Sequence, residues 1–418
     1  MTVIAEKKVN FTKALAPTQL SVNKSDIEKA LLTLENSILP TTRTEAWKYT
    51  RLVKIGKVEF QNNQASLASI DSYKIVDSAC TLVFVNGYFS KEFSSNEVPT
   101  GVTIEILSKD STKLSATSLK LEDEIFNATN TAHLNGGVRI VISAKSVIET
   151  PIQIIHVLKG DNVISNFKTI ISAEKFSKSA IVQGFFTESG EANFSNCTSE
   201  INVEDNAFLT IDKVQYESEQ SFHISTEEVQ QAKNSNFTIN TFTLNGGIVR
   251  NNLHINLNGE NCESHLNGAY LLKNKQHVDN HSIVDHKVPN CESFELYKGV
   301  MDDSSTGVFN GKVFVREDAQ KINAFQSNGN VLLSDSATIN SKPELEIYAD
   351  DVKCSHGSTT GQLDEEAVFY LRARGLSEKS ARQLMVSAFI GEVLEKVENE
   401  QVLEFIHGIL KDRFDWNL

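Results

Sequence analysis

The sequence predicts a mainly β chain: a solenoid core with α-helical regions at its N- and C-terminal ends. Three observations carry this expectation. From about residue 136 to 345 the chain is a succession of short apolar–polar alternations with no helical segment of any length. Within it, "FLTID" (208–212) and "NFTIN" (236–240) echo each other at a shift of 28 residues. Both ends instead carry the spacing of amphipathic helices. An all-β stretch of roughly 200 residues is also compatible with a barrel, a sandwich or a propeller. The loose self-similarity and the polar, Asn-rich outer faces favour stacked coils. Stacked coils need caps, and the terminal helices are expected to supply them.

Taken in order, "KSDIEKALLTLEN" (24–36) reads as a helix. Ser25 and Glu28 have capping-box spacing, and Ile27, Leu31 and Leu34 share a face. After Pro40, "RTEAWKYTRLVKI" (43–55) reads as a second short helix with Trp47 and Leu52 available for packing. Near residue 76 the pattern changes: "CTLVFVNGYFS" (80–90) is a β-rich run broken by an Asn-Gly turn signal. "NNLHINLNGE" (251–260) is the clearest strand, with Leu253, Ile255 and Leu257 on one face and His254, Asn256 and Asn258 on the other. A single proline, Pro289, occurs between 152 and 342. After residue 362 the chain turns helical: "LDEEAVFYLRARG" stops at Gly375, Ser377 is placed as an N-cap, and Ala381, Leu384, Met385, Ala388 and Phe389 form an apolar stripe. "QVLEFIHGILKDRF" (401–414) repeats the pattern. Such helices either pack on the β core or present a ridge to another protein. The expected regions are 1–75, 76–345 and 346–418.

Composition narrows the function classes. The 418 residues exceed one ordinary compact core. A formal net charge of −14 is a poor basis for binding nucleic acid or anionic lipid. No apolar run reaches the ~18 residues of a membrane helix, and "MTVIAEKKVNFTKALAP" has no apolar signal core. The five cysteines (Cys80, Cys197, Cys262, Cys291, Cys354) are scattered and form no CxxC, which reads as reduced thiols in a cytoplasmic protein. There is no GxxxxGK[ST], no GxGxxG after a strand, no GxSxG and no HExxH. Nucleotide hydrolysis, serine-hydrolase and zincin chemistry therefore have no support in this chain.

Two constellations remain. "QHVDNHSIVDHKVPNC" (276–291) holds His277, Asp279, His281, Asp285, His286 and Cys291; positions 277, 279 and 281 align on one face of a strand. A metal could be held there, but the spacing matches no zinc module, so a polar ladder on the surface of successive coils is the favoured reading. The second is Cys354-Ser355-His356, in which thiol and imidazole point the same way on an extended chain. This pair suits iron or zinc. Two ligands do not close a site, so further donors come from this chain or from a second one. The alternative is a strand end with a buried cysteine and a turn-capping histidine.

Several segments resemble the SufB/SufD family, scaffold proteins of SUF iron–sulfur cluster assembly. They are "HKVPNCESFELYKGVMDD", "GVFNGKVFV" and "AQKINAFQSNGNVLLSDSATINSKPELEIYADDVKCSHGSTTGQLDEEAVFYLRARGL". "PTTRTEAWKYT" resembles the SufD branch and extends the likeness to nearly the whole chain. Where SufB-like chains carry a sulfur-accepting cysteine, "AFQSNGNVLL" has Ser327; the "DDVKCSHG" pattern is SufD-like. A SufB-like paralogue is the alternative. The resemblance implies a right-handed parallel β-helix between helical regions. It implies pairing with SufB through the β-helix ends, and binding of the ABC-type ATPase SufC by the C-terminal helices, which would account for the absent phosphate loop. Leu384, Met385, Ala388 and Phe389 are the candidate contacts. It also implies a non-catalytic role in which His356, with Cys354 second, donates to transient iron or a nascent cluster shared with SufB. A homodimer is conceivable without SufB, and the residues are silent on a flavin. Two other readings stay open: a polysaccharide-acting β-helix enzyme, which needs an acid/base pair or calcium site in a groove, and a stand-alone metalloprotein built on the His-rich run.

Overall fold

The computed structural model describes residues 11–115 and 119–414. The signal-segment reading of residues 1–10 and the last four residues of the expected C-terminal region lie outside them. Among the described residues strands lie from Cys80 to Gly361 and divide between two sheets, one of ten strands and one of nine. From Gly136 onward consecutive strands alternate between the sheets, and each pairs in parallel with the strand one coil on. The coil length varies: Phe222 stands opposite Ile248, 26 residues on, and Thr306 opposite Thr338, 32 residues on. This is a parallel β-solenoid. The echo of 208–212 in 236–240 is one coil, since Phe208 pairs with Asn236 and Asp212 with Asn240.

The coil is stable because like side chains stack on like. One inward column runs Ile152, Ile181, Ile211, Ile239 and Leu266, each opposite the next and all buried. Full burial of each such side chain contributes about 1.5–3 kcal/mol. The corners use residues that tolerate positive φ: Asn206, Asn234, Asn261 and Asn290 all have φ between 55° and 60°. Asn234 donates to Asn206 at 3.0 Å and Asn261 to Asn234 at 2.9 Å. Part of the asparagine richness is therefore a corner ladder. The interior also admits charge where it is matched: the fully buried Lys213 ammonium donates to Glu227 and Ser225, both at 2.7 Å, and to Asn251 at 3.1 Å.

The two ends of the solenoid differ. At the N-terminal end each sheet finishes on an antiparallel strand: Tyr88–Phe89 folds back on Cys80–Val85 through Asn86-Gly87, and Val102–Ile106 pairs with Gly136–Ile142. At the other end Thr338–Ile347 and Val352–Gly361 are the last strands of their sheets.

Among the described residues the α-helices are α1 (Lys24–Asn36), α2 (Ile125–Ala132), α3 (Glu365–Ala373), α4 (Glu378–Leu394) and α5 (Glu400–Phe414). Several expectations need correction. The helix α1 starts from Asn23 without a side-chain cap bond, so the Ser25/Glu28 box does not form; it buries Ala30 and Leu34, while Leu31 is 44 % exposed. Residues 43–55 form no α-helix but 3-10 turns at Glu45–Trp47 and Ile55–Lys57, which bury Trp47, Leu52 and Ile55. The short α2 has no counterpart in the pattern reading. The C-terminal helices do not cap the last coil. They fold back along its flank because that sheet is apolar outside as well as inside: Val182, Val214, Phe242, Leu271 and Val300 face Val386, Ile390, Val402 and Ile406 in one cluster. The helix α5 reaches the first coil, where Gln401 bonds Asp77 in both directions at 2.9 Å. The opposite flank is covered by an aromatic cluster including Phe11, Trp47, Phe60 and Phe126.

Candidate functional site

The last coil gathers the residues singled out from the sequence. In Ile322–Leu332 burial alternates, with Ile322, Ala324, Gln326 and Asn328 facing inward. Val352–Gly361 lies over it in parallel register, which sets Cys354 over Ala324, His356 over Gln326 and Ser358 over Asn328. Cys354 and His356 thus occupy inward positions of the last coil, over which no further strand is stacked among the described residues. The Cys354 side chain is half-buried against the core, and desolvation raises its thiol pKa above the ordinary value. His356 is exposed. Beneath them the solenoid is polar: Ser358 donates to Ser341 at 2.7 Å, Ser341 to Asn328 at 2.8 Å, and Gln326 Nε2 to Glu295 Oε2 at 2.6 Å. Glu295 also accepts from Ser282, and desolvation pushes its carboxyl pKa up to about 7.

The donor types fit iron: an accessible imidazole and a thiol on one strand face, at an edge with free coordination space. Among the described residues no group of three or more His, Cys, Asp or Glu is arranged to hold a metal ion. The pair at 354 and 356 is therefore a partial donor set.

The His-rich run is not a surface ladder. His277, Asp279 and His281 do share the outward face of His277–His286, but the N-terminal region covers much of it, burying Asp279 and half-burying both histidines. Arg250 Nη1 reaches Asp279 Oδ2 at 2.8 Å and stacks on Trp47 at 3.9 Å. Thr50 bonds His277 at 2.8 Å and donates to Asp279, and His281 Nε2 lies 2.9 Å from Asp279 Oδ1. Arg250 and the imidazoles hold the Asp279 carboxyl pKa well below the ordinary range, against its desolvation. This network fastens the N-terminal region to the flank. The Asp279→Ala variant leaves Arg250 buried without its counter-ion and is expected to lose about 3–5 kcal/mol, measured by chemical denaturation.

Five histidines have pKa values lowered by desolvation: the buried His133, His156 (about 3) and His286 (about 4), and the half-buried His277 and His281. Below the ordinary pKa of ~6.5 the unfolded chain takes up protons that these imidazoles do not. Glu124, Asp212 (about 6) and Glu295 are raised and act the other way. The two sets oppose each other between pH 7 and 5; Glu295→Gln removes one of the opposing carboxyls and is expected to make Tm fall more over this range than in wild type. A calorimetric profile with the wild-type slope contradicts this.

Elsewhere, Cys80, Cys197, Cys262 and Cys291 are buried. The apolar stripe of α4 divides. Met385 and Phe389 pack on the flank, Phe389 beneath Lys298 at 4.6 Å, whereas Leu384 and Ala388 are exposed. The more open apolar surface is on α3, where Phe369 is 71 % and Tyr370 57 % exposed. With Glu365, Glu366 and Ala373 they line a shallow groove. The capping signals here hold: Ser380 N–H donates to Ser377 Oγ at 3.0 Å, and Gly375 has φ of 99°.

Fold and site together define a class: a parallel β-solenoid with a thiol and an imidazole side by side on an open terminal coil. Comparison with known proteins narrows it. Residues 156–389 match the family described as SUF system FeS cluster assembly, SufBD core domain, and residues 11–154 match the SufBD protein N-terminal region. The chain belongs to the SufBD family of iron–sulfur cluster assembly proteins. It is 32 % identical to an iron-sulfur cluster assembly SufBD family protein of Synechocystis, over 86 % of this chain and 84 % of that one. It is 28 % identical to the iron-sulfur cluster assembly protein SufD of Escherichia coli, over 87 % and 86 %. The chloroplastic protein ABCI7 of Arabidopsis thaliana is 35 % identical over 57 % of this chain and 51 % of its own length.

Proposed function

We propose that the chain is a SufD-type scaffold subunit whose last coil docks on the corresponding end of SufB, so that His356, assisted by Cys354, completes a shared site for iron or a nascent iron–sulfur cluster. The observation that carries this reading is the exposure of His356 over an uncapped terminal coil. An edge strand with unpaired backbone groups favours a partner that continues or covers it. Pro343 and the charges of Lys342, Glu344 and Lys353 restrain indiscriminate pairing there. Neutral imidazole and thiolate both bind ferrous iron, and a donor set divided between two chains can release its cargo when they part.

In the same reading the α3–α4 region binds SufC, and ATP-driven closure of that partner moves the flank helices against the solenoid. The requirement is tighter binding of SufC in one state than in the other. The similarity to SufD of Escherichia coli supports the branch assignment. The deciding experiment is anaerobic co-purification from cells producing the whole SUF system. The expected result is a complex with SufB and SufC carrying iron and acid-labile sulfide. Isolation of this chain without either partner would overturn the proposal.

A further inference from the structure

The inward column of Ile152, Ile181, Ile211, Ile239 and Leu266 does not stay aliphatic. In strict register it continues as Glu295, Gln326 and His356. Glu295 is buried with no cation among its bonding partners, which are Ser282 and Gln326. An aliphatic side chain, such as Leu266 one coil below, would fill this place without desolvating a carboxyl. Packing alone gives no reason for a Glu–Gln pair here.

The pair has a direction. The bond from Gln326 Nε2 to Glu295 Oε2 commits the amide nitrogen to the carboxyl below. The carbonyl Oε1 is buried and without a hydrogen-bond partner, an arrangement that ordinarily costs about 1–3 kcal/mol. The next residue of the column is His356. Gly311 makes room for the amide, since a Cβ at that position would stand 2.1 Å from Gln326 Nε2.

We propose that Gln326 is a positioning residue for the iron-site histidine: the exposed rotamer of His356 seen here does not make the bond, but on turning inward the imidazole donates its Nδ1–H to the free carbonyl and leaves the Nε2 lone pair turned to the open face, while Glu295 anchors the amide from below. This rests on the reading of His356 as an iron ligand. Metal-binding imidazoles commonly donate their second ring N–H to an oxygen acceptor, which fixes tautomer and orientation. Here the acceptor is an amide backed by a carboxyl, a short relay along the solenoid axis.

The test uses the full chain labelled with ¹⁵N-histidine, with His356 assigned by its absence in His356→Ala, and reads the ring tautomer at pH 8 from one-bond and long-range ¹H–¹⁵N couplings. Wild type is expected to show the Nδ1–H form. Gln326→Leu and Gly311→Ala, which remove or displace the amide by different means, are each expected to return His356 to the Nε2–H form usual for free imidazole. In the anaerobic SufB complex, Gln326→Leu is expected to weaken ferrous iron binding about 10–100-fold. An Nε2–H tautomer in wild type, or an unchanged Nδ1–H tautomer in both variants, overturns the proposal. Ferrous iron affinity unaltered by His356→Ala would instead overturn the ligand reading on which it rests, a result separable from the tautomer measurement.

Discussion

His356→Ala is expected to lower the iron and acid-labile sulfide of the anaerobically purified complex by about tenfold or more, the scale on which loss of a metal ligand or its support acts. The fold is expected to be untouched. His356 is exposed on a terminal strand, and surface substitutions of this kind stay within ~0.5 kcal/mol. Tm and partner recovery should therefore match wild type. The effect separates chemistry from folding because the two neighbours differ: Cys354 packs against the core, so its removal perturbs both. Normal cluster loading in a well-folded His356→Ala complex would remove this residue from the site.

Phe369→Ala combined with Tyr370→Ala is expected to weaken SufC binding by about 100-fold or more. Exposed aromatics that become buried at an interface cost about 2–4 kcal/mol each when truncated, although paired losses do not simply add. Little stability should be lost, since in α3 the buried side chain is Val368. Leu384→Asp is the matching variant for the exposed half of the α4 stripe. Deleting residues 364–418 is a poor substitute, because it strips Val386, Ile390, Val402 and Ile406 from the flank and exposes Phe242, Leu271 and Val300. Isothermal titration with purified SufC reads the result; unchanged affinity in the double variant places the contact elsewhere.

The fold was legible because a solenoid writes its repeat into the chain: Leu253, Ile255 and Leu257 alternate as one strand, and the echo at 208 and 236 measures one coil. The location of the helices was less legible. Nothing in an amphipathic stripe says whether it covers the end or the side of a stack; the outward Val214, Phe242 and Val300 decide that, and strand alternation hides them. The site was half legible. Cys354 and His356 stood out by spacing, whereas Glu295 and Gln326 did not. In Glu292–Met301 the apolar Phe294 and Leu296 lie on the outward side, Phe294 stacked between His265 and Phe325, so a hydrophobicity pattern reads the strand inside out. The run at 277–281 reads as a polar ladder on the surface; its covering was illegible because Arg250 and Thr50, which pair with these side chains, are remote in sequence.

The antiparallel strands at the start of the solenoid set a limit on assembly. A rod with two bare ends can add units indefinitely and become a fibre. Here Tyr88–Phe89 and Val102–Ile106 run antiparallel to the strands they pair with, so the parallel register of the coils is not continued at that end. The two ends are therefore not interchangeable: a coil added in the same parallel register finds a matching strand edge at Val352–Gly361 and not at Tyr88–Phe89.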